Sequence, residues 1–358
     1  MFKVKDLFSK KQVVGLDIGS SSLKLVEILD TSKGYFLNKF SQIPLDRSVI
    51  VDGALNEPET LSQKIKDLFK ASRCRTKNVI ASLSGHSVIV KKVSFTNMEE
   101  NELRELISDE AEKYLPFDDM KEVNFDFQIL GESDVNPNLI EVLLVAAKKT
   151  IIDSYSDAIG KAGLNAVIMD VDSFALETMY ETNYDFEEGD IVVLVNIGAS
   201  MTNINVVKNG FSVFTRDFPM GGNSITEVIQ EKMGVTFEEA EAAKIEAEKI
   251  NEAEESGSKE DLINYADPLF LEIERSVDYF GTTYPGELIK KMIISGGCAK
   301  LPGLVSTLSQ RLNIEAEAVN PFKNISYNEK SFDPTQIKDI SPMAAVGVGL
   351  ALRRIDDK

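Results

Sequence analysis

The sequence predicts an α/β protein built from two related lobes with a cleft between them. Three observations support this prediction. The chain has 358 residues, more than a single hydrophobic core usually supports. A pattern of strands and glycine turns near its beginning occurs again in its second half. Between the two copies lies a stretch of mixed helix and strand patterns that the second half does not match.

The first copy begins at position 13 with VVGLDIGSSSLKLVEILDTSKGYFLNKFSQIPL. Its alternating apolar residues predict three antiparallel strands, with turns at Gly19 and Gly34. The stretch EPETLSQKIKDLFKAS then predicts a helix, and NVIASLS predicts another strand. Residues 1–83 are therefore expected to begin the first lobe.

Residues 84–165 are expected to form a small inserted α+β subdomain. Strand patterns occur in SVIVKKVSF, FDFQIL and IEVLLVAAKK. Helix patterns occur in NMEENELRELISDEAEKYL and from about Thr150 to Ala162.

The second copy reads IVVLVNIGASMTNINVVKNGFSVFTRDFPM from position 191. The alignment of the two copies places Asn196 on Asp17, Gly198 on Gly19, Ser200 on Ser21 and Asn203 on Lys24. A helix in GGNSITEVIQEKMG and a strand in KKMIISGG follow, as in the first copy. Strand-ending turns from both lobes are expected to face each other across the cleft, where backbone N–H groups can bind an anion.

The first turn has the residues that a phosphate site needs. Gly19 lets the backbone approach a phosphate, and Lys24 supplies a positive charge. Asp17 is placed to hold a metal-bound water. Further N–H and hydroxyl donors come from Ser20, Ser21 and Ser22.

Three other stretches are expected to complete the site. The opposing turn consists of Gly198, Ala199, Ser200, Met201 and Thr202. The strand in IISGGCAKLPGL ends in a glycine pair, where a flat ring can lie against the backbone; this stretch contributes Gly296, Gly297 and Cys298. The helix start at Gly221, Gly222 and Asn223 offers free N–H groups near the cleft, or is a plain helix N-terminus.

Composition excludes several classes of function. The net charge of −19 would repel nucleic acid and anionic lipid surfaces. Cys74 and Cys298 stand in unrelated contexts, which argues against disulfides or zinc and favours a cytosolic protein. His86 is the only histidine, which argues against a serine or cysteine triad. With no apolar run of about 18 residues, the chain is expected neither to span a membrane nor to carry an export signal. The lysine-rich tail at residues 1–11 is expected to pack on its own domain rather than to dock on a lipid surface or a partner.

The three glycine stretches together resemble the phosphate and adenosine motifs of the actin, Hsp70 and sugar-kinase superfamily, over essentially the whole chain. This resemblance implies an actin-like (ribonuclease H-like) fold that binds ATP or ADP with Mg²⁺. It identifies DVDSFALETMY (170–180) and SPMAAVGVGLALRR (341–354) as hinge helices. Residues 166–190 would then complete the first lobe, 191–340 form the second, and 341–358 close on the first. The resemblance also places Glu241, Lys244 and Lys249 near the adenine.

The insert occupies the position of a relocated subdomain in FtsA-like proteins. The stretches VDGAL, SGHSVIVKKV, EAEKYLPFD and LLVAAKK, in this order, resemble the PilM family of type IV pilus assembly. That resemblance implies docking of the cytoplasmic N-terminus of a PilN-like membrane protein near the insert, and contacts with other pilus platform and motor proteins. The protein is then expected to be cytoplasmic, to reach the inner membrane only through partners, and to be capable of self-association.

Asn196 departs from the superfamily pattern, in which many members have an aspartate. The loss of one carboxylate weakens the hold on a metal-bound water, so slow or absent hydrolysis is expected. Two alternatives remain open. An FtsA-like filament would form ATP-dependent polymers, and a small-molecule kinase would need Asp170 or Asp172 as base, although a strand end and a helix cap are their favoured roles. Arg216 is either a salt-bridge residue or a cleft contact.

Overall fold

The computed structural model describes residues 12–51, 53–117, 119–133, 136–248 and 262–354. The N-terminal tail at residues 1–11 and the candidate Lys249 lie outside these ranges. The strands are β1 (Val14–Ile18), β2 (Ser22–Thr31), β3 (Gly34–Pro44), β4 (Ile50–Val51), β5 (Ala54–Leu55), β6 (Asn78–Leu83), β7 (Val88–Thr96), β8 (Val123–Glu132), β9 (Leu139–Lys148), β10 (Asn165–Val171), β11 (Ile191–Ile197), β12 (Thr202–Lys208), β13 (Phe211–Phe218), β14 (Lys291–Ser295), β15 (Glu315–Ala318) and β16 (Ser326–Tyr327). The α-helices are α1 (Pro58–Ser72), α2 (Glu100–Glu110), α3 (Lys149–Lys161), α4 (Asp172–Asn183), α5 (Gly222–Met233), α6 (Phe237–Glu248), α7 (Asp267–Thr283), α8 (Leu304–Leu312) and α9 (Pro334–Leu352).

Two large sheets have the same strand order. The first runs β10-β6-β1-β2-β3-β16, and the second runs β15-β14-β11-β12-β13. In each sheet the first three strands along the chain are antiparallel, and the two strands that follow lie parallel to the first. The predicted internal repeat and the two-lobed α/β architecture are therefore confirmed. The repeat also includes a fifth strand, β10 in one lobe and β15 in the other.

Helices cover both faces of the first sheet, which explains why its central strands β1 and β6 are mostly apolar. On one face, Ile65 of α1 and Ile159 of α3 join Val14 and Leu16 in an apolar core. Residues of α4 and α9 pack on the other face. Helix α3 was expected to end the insert, but its buried face belongs to this core.

The inserted segment has its own sheet and core. Strands β7, β9 and β8 form a three-stranded antiparallel sheet in that order. Leu103 and Ile107 of α2 are fully buried against Phe95 and Ile140 of this sheet. The strands and the helix predicted for the insert are therefore present.

Helix α9 joins the two lobes. It was expected to begin near Ser341, but it begins at Pro334, because the Asp333 side chain accepts a hydrogen bond from the Gln336 N–H and Pro342 lies inside the helix. A methyl group at Gly349 would overlap the carbonyl oxygen of Ala175 in α4, so glycine permits the close crossing of these helices. Strand β16, just before α9, pairs with β3 of the first sheet.

A helix was predicted from Asp261 to Phe280. Residues 262–265 are helical and, after a break at Ala266, helix α7 continues from Asp267 to Thr283; Asp261 lies outside the described residues. Within the ranges that the structure describes, no helix is both long enough and apolar enough to cross a membrane.

Candidate functional site

A cleft of about 330 Å³ lies between the two large sheets, where the turns of both copies meet. The predicted residues that line it are Asp17, Gly19, Ser20, Ser21, Ser22, Lys24, Asn196, Gly198, Ala199, Ser200, Met201, Gly222, Asn223, Glu241, Lys244, Gly296, Gly297 and Cys298. Thr202 and Gly221 are not among the lining residues. Thr202 is fully buried and donates its hydroxyl hydrogen bond to the Met220 carbonyl, because its side chain leaves β12 away from the cleft.

The first turn places a positive charge beside a carboxylate. Asp17 and Lys24 are directly opposite each other on β1 and β2, and Lys24 Nζ lies 3.0 Å from Asp17 Oδ2. The Gly19 N–H donates to the Ser22 carbonyl at 3.1 Å, which closes the turn. Lys24 is therefore held at the wall of the cleft by a short ion pair.

The second turn has the same backbone and different chemistry. The Gly198 N–H donates to the Met201 carbonyl at 2.9 Å, and Asn196 lies directly opposite Asn203. Asn196 Nδ2 donates to Asn203 Oδ1 at 3.1 Å, where the first lobe has its ion pair. The first turn thus carries an ion pair where the second turn carries two neutral amides.

The two turns touch each other. Ser200 Oγ donates to Ser20 Oγ at 2.8 Å, which joins the lobes at the base of the cleft. The Gly85 N–H donates to Asp217 Oδ2 at 2.6 Å and makes a second contact between the lobes. The turns of both lobes are therefore close enough for one small anionic ligand to contact both of them.

The start of α5 differs from its prediction. Gly222 and Asn223 do line the cleft. Their N–H groups, however, donate to the carbonyls of Gly198 and Ala199, at 2.9 and 2.7 Å. The expectation of free N–H groups here was wrong, because these donors fix the second turn instead of facing a ligand.

Helix α6 presents one face to the cleft. Phe237, Glu241 and Lys244 follow one another at helical spacing and all line it. Lys244 is 5 % exposed and its Nζ donates to the Gly222 carbonyl, to Thr226 and to Glu241. Opposite lies Gly296 with φ +89°, where an added methyl group would overlap the Ile197 carbonyl. Gly297, where an added methyl group would meet nothing within 4 Å, leaves its backbone uncovered, and it lines the cleft together with the polar residues of α6.

The two candidate bases occupy different places. Asp170 forms a two-pronged ion pair with Arg353, at 2.7 and 3.3 Å, and does not line the cleft. Asp172 does line it, and it accepts from Ser82 Oγ at 2.5 Å instead of capping α4. Burial, reinforced by the charge of Asp17, raises the pKa of Asp172 to about 7.

Arg216 pairs with Glu272 of α7 at 3.8 Å, so the salt-bridge alternative is the one observed.

The donor set suits a cation held mainly by a ligand. Within the described ranges, no three or more histidine, cysteine, aspartate or glutamate side chains are arranged as a metal site. Mg²⁺ in phosphate sites is usually bound by one or two carboxylates together with waters and phosphate oxygens. Asp17 provides one such carboxylate at the cleft wall, and Asp172 lies near enough for their charges to interact.

Several lining residues were not predicted as ligand contacts. They are Gln42, Arg47, Tyr155, Asn203 and Phe237. Phe237 stands four residues before Glu241, so helical spacing could have indicated it. Asn203 had only been aligned with Lys24, and no sequence pattern marks Arg47.

Comparisons with known proteins agree with this architecture. The family model described as type IV pilus assembly protein PilM matches residues 15–355. The chain is similar to a structure described as a PilM-PilN type IV pilus biogenesis complex, with 28 % identity, a TM-score of 0.84, and coverage of 97 % of this chain and 100 % of the other. The ethanolamine utilization protein EutJ of Carboxydothermus hydrogenoformans shares 17 % identity at a TM-score of 0.57, over 95 % of this chain and 88 % of EutJ. MreB 5 of Spiroplasma citri, bound to AMPPNP, shares 12 % identity at a TM-score of 0.56, over 96 % of this chain and 95 % of MreB 5. The last two likenesses show the actin-like fold.

Proposed function

The chain belongs to the PilM family of type IV pilus assembly proteins, and we propose that it acts in pilus assembly as a nucleotide-binding protein that docks the N-terminal peptide of a PilN-like membrane protein. The convergence of the two turns, joined by Ser20 and Ser200, carries the nucleotide part of this proposal. The partner part rests on the similarity to the PilM-PilN complex.

Different residues of the cleft would bind different parts of ATP or ADP. Lys24 and the first turn, Gly19–Ser22, would bind phosphate oxygens, and Asp17 would hold a water of the accompanying Mg²⁺. Glu241, held in place by Lys244, would bind the ribose or the base, and the Gly296–Gly297 backbone would lie against the adenine. The bound Mg²⁺ would supply charge neutralisation at the phosphates.

Hydrolysis is expected to be slow. Asn196 is an amide where the first turn has the carboxylate of Asp17, so only one lobe offers a charged anchor for metal-bound water. A small-molecule kinase remains the second candidate, because Asp172 lines the cleft with a pKa raised to about 7, near the value that suits a general base. Phosphoryl transfer to any member of a sugar and polyol panel would favour it.

The first test is a titration of ATP and Mg²⁺ into the protein, with phosphate release followed in the same sample. We expect binding with a turnover far below about 1 per second. Lys24→Ala should weaken ATP binding by about tenfold or more, because it removes a charged hydrogen bond donor. Lys290→Ala is the matched control, since Lys290 forms a similar ion pair with Asp190, at 2.9 Å, away from the cleft.

Four results would each contradict a part of this proposal. Absence of ATP binding would remove it, and equal losses in the two lysine variants would remove the role of Lys24. Turnover at about 1 per second or more would make the protein an ordinary ATPase or kinase. ATP-dependent sedimentation of polymers would favour the FtsA-like filament.

We propose that the PilN-like peptide docks near the insert and tethers this acidic protein to the inner membrane, without direct lipid contact. The net charge of −19 favours a basic or amphipathic partner over an anionic lipid surface. Other platform and motor proteins would join through the same assembly.

Hydrogen exchange in the presence of a synthetic PilN N-terminal peptide tests this docking. We expect slower exchange in strands β7 and β9 and in the adjoining first lobe, because a docked peptide buries backbone N–H groups there. A scrambled peptide is the control. Slower exchange confined to the second lobe, away from the insert, would contradict the placement.

A further inference from the structure

Asn203 is a buried amide at the wall of the cleft. Its side chain lines the cleft, and the residue is 2 % exposed. Its Nδ2 has no hydrogen bond partner in the part of the chain that the structure describes. A buried donor without an acceptor costs free energy, so this atom indicates a ligand with an acceptor.

Neighbouring side chains fix which way this amide faces. Ser295 Oγ has two acceptors within reach, Asn196 Oδ1 at 3.2 Å and the Val195 carbonyl at 3.4 Å, and its donation to the nearer one leaves Asn196 Nδ2 to donate. Asn196 Nδ2 then donates to Asn203 Oδ1 at 3.1 Å. The oxygen of Asn203 is thereby occupied, and its NH₂ group is the end that remains for a ligand.

This orientation depends on an amide at position 196. A carboxylate there could only accept, and Asn203 would have to turn its NH₂ group toward it. Asn196 therefore leaves the Asn203 donor available, in addition to removing a charge from the second turn.

The chemistry of the donor selects the class of ligand. An amide NH₂ group has no lone pair for a metal ion, so it cannot be a direct metal ligand. Asn203 holds in β12 the position that Lys24 holds in β2, each opposite the residue that precedes a glycine turn. An anionic oxygen between the two turns would accept from both lobes.

We propose that Asn203 Nδ2 donates a hydrogen bond to a phosphate oxygen of the nucleotide, as the counterpart in the second lobe of Lys24 in the first. This inference rests on the proposed nucleotide binding and adds to it a contact that discriminates ligands with phosphate from those without. The Ser295–Asn196 pair acts as a positioning element for Asn203.

The test compares adenosine, ADP and ATP as ligands of the wild type and of Asn203→Leu, which keeps the side-chain size and removes the donor. The dissociation constants of ADP and ATP should rise about 10- to 100-fold, the effect of losing a hydrogen bond to a charged group. The dissociation constant of adenosine should change less than about twofold, because adenosine has no phosphate to accept this bond. Asn205→Leu is the matched control, since Asn205 is buried on the same strand and donates to the Ser173 carbonyl instead.

Asn196→Asp provides a second variant if Asn203→Leu does not fold. Measured without Mg²⁺, so that the added carboxylate cannot recruit the metal ion, it should weaken the binding of ADP and ATP because the carboxylate engages the Asn203 NH₂ group, and it should leave adenosine binding unchanged. Equal weakening of adenosine, or unchanged binding of ADP and ATP by either variant, would overturn the inference. Failure of the wild type to bind ATP would instead overturn the proposed function, and the inference with it.

Discussion

Asp172 is the residue whose charge state is most sensitive to its surroundings. It is partly buried, lies near the carboxylates of Asp17 and Asp217, and has a pKa raised to about 7. Hydrogen bonds from Ser82 and Ser84 lower the pKa, but burial has the larger effect. Near neutral pH the folded protein therefore holds this proton part of the time, whereas the unfolded chain has already released it.

This difference predicts a pH-dependent stability. Between about pH 4 and pH 7 the folded state binds more protons at Asp172 than the unfolded state does, so the contribution of this group to stability falls as pH rises and is constant above pH 7. Asp172→Asn keeps the acceptor for Ser82 and removes the ionisation. We expect the change in the free energy of unfolding caused by this substitution to be more favourable at pH 8 than at pH 5 by about 1–4 kcal/mol.

Denaturant unfolding of both proteins at the two pH values measures this effect. Equal changes in the free energy of unfolding at pH 5 and pH 8 would contradict the prediction. Burial also raises the pKa of Glu177 to about 7. Because Glu177 is present in both proteins, its contribution to the pH dependence cancels in the comparison.

At the scale of elements, the repeat could be predicted well because apolar alternation and glycine turns are local signals. Strands β1, β2 and β3 and strands β11, β12 and β13 were all expected from such patterns. The assignment of α3 was harder, because an amphipathic helix does not show in its sequence which core covers its apolar face. The packing of Ile159 against the first sheet decides it.

In the functional site, too, local sequence signals identify some residues and miss others. Turn residues such as Gly19 and Gly198 were identifiable because glycine has few alternatives at such positions. The N–H groups at the start of α5 could not be assigned, because their acceptors come from the carbonyls of a distant turn. Arg47 lies in a loop whose path across the cleft no local pattern encodes.

At the scale of the whole molecule, Arg47 links the two lobes across the mouth of the cleft. Its guanidinium carbon lies 3.6 Å from the centroid of the Phe237 ring, and its Nη2 lies 3.3 Å from Glu227 Oε1. The loop that carries it is attached to the first turn by a hydrogen bond from the Leu45 N–H to the Ser21 carbonyl, at 2.9 Å. Arg47 therefore closes the cleft beside the turn that is proposed to bind phosphate.

Loss of this contact should accelerate nucleotide release. A cation–π contact and a surface ion pair are each worth about 0.5–1 kcal/mol when exposed, so Arg47→Ala should release nucleotide about 5- to 30-fold faster. Stopped-flow displacement of a fluorescent ATP analogue measures the rate. Arg275→Ala, which breaks an ion pair with Glu272 in the second lobe, is the control. An unchanged rate in Arg47→Ala, or the same acceleration in the control, would contradict the role of Arg47.

The pairing of β16 with β3, and the packing of α9 on the first sheet, join the two ends of the described chain. During synthesis, the apolar side of β2, including Val26 and Ile28, stays uncovered until α9 has left the ribosome, because residues of α9 complete this core. Contacts between residues so distant in sequence slow folding and prolong the exposure of apolar surface. The first lobe is thus completed only after the residues of the second lobe have been synthesised, so its apolar surface stays exposed for longer.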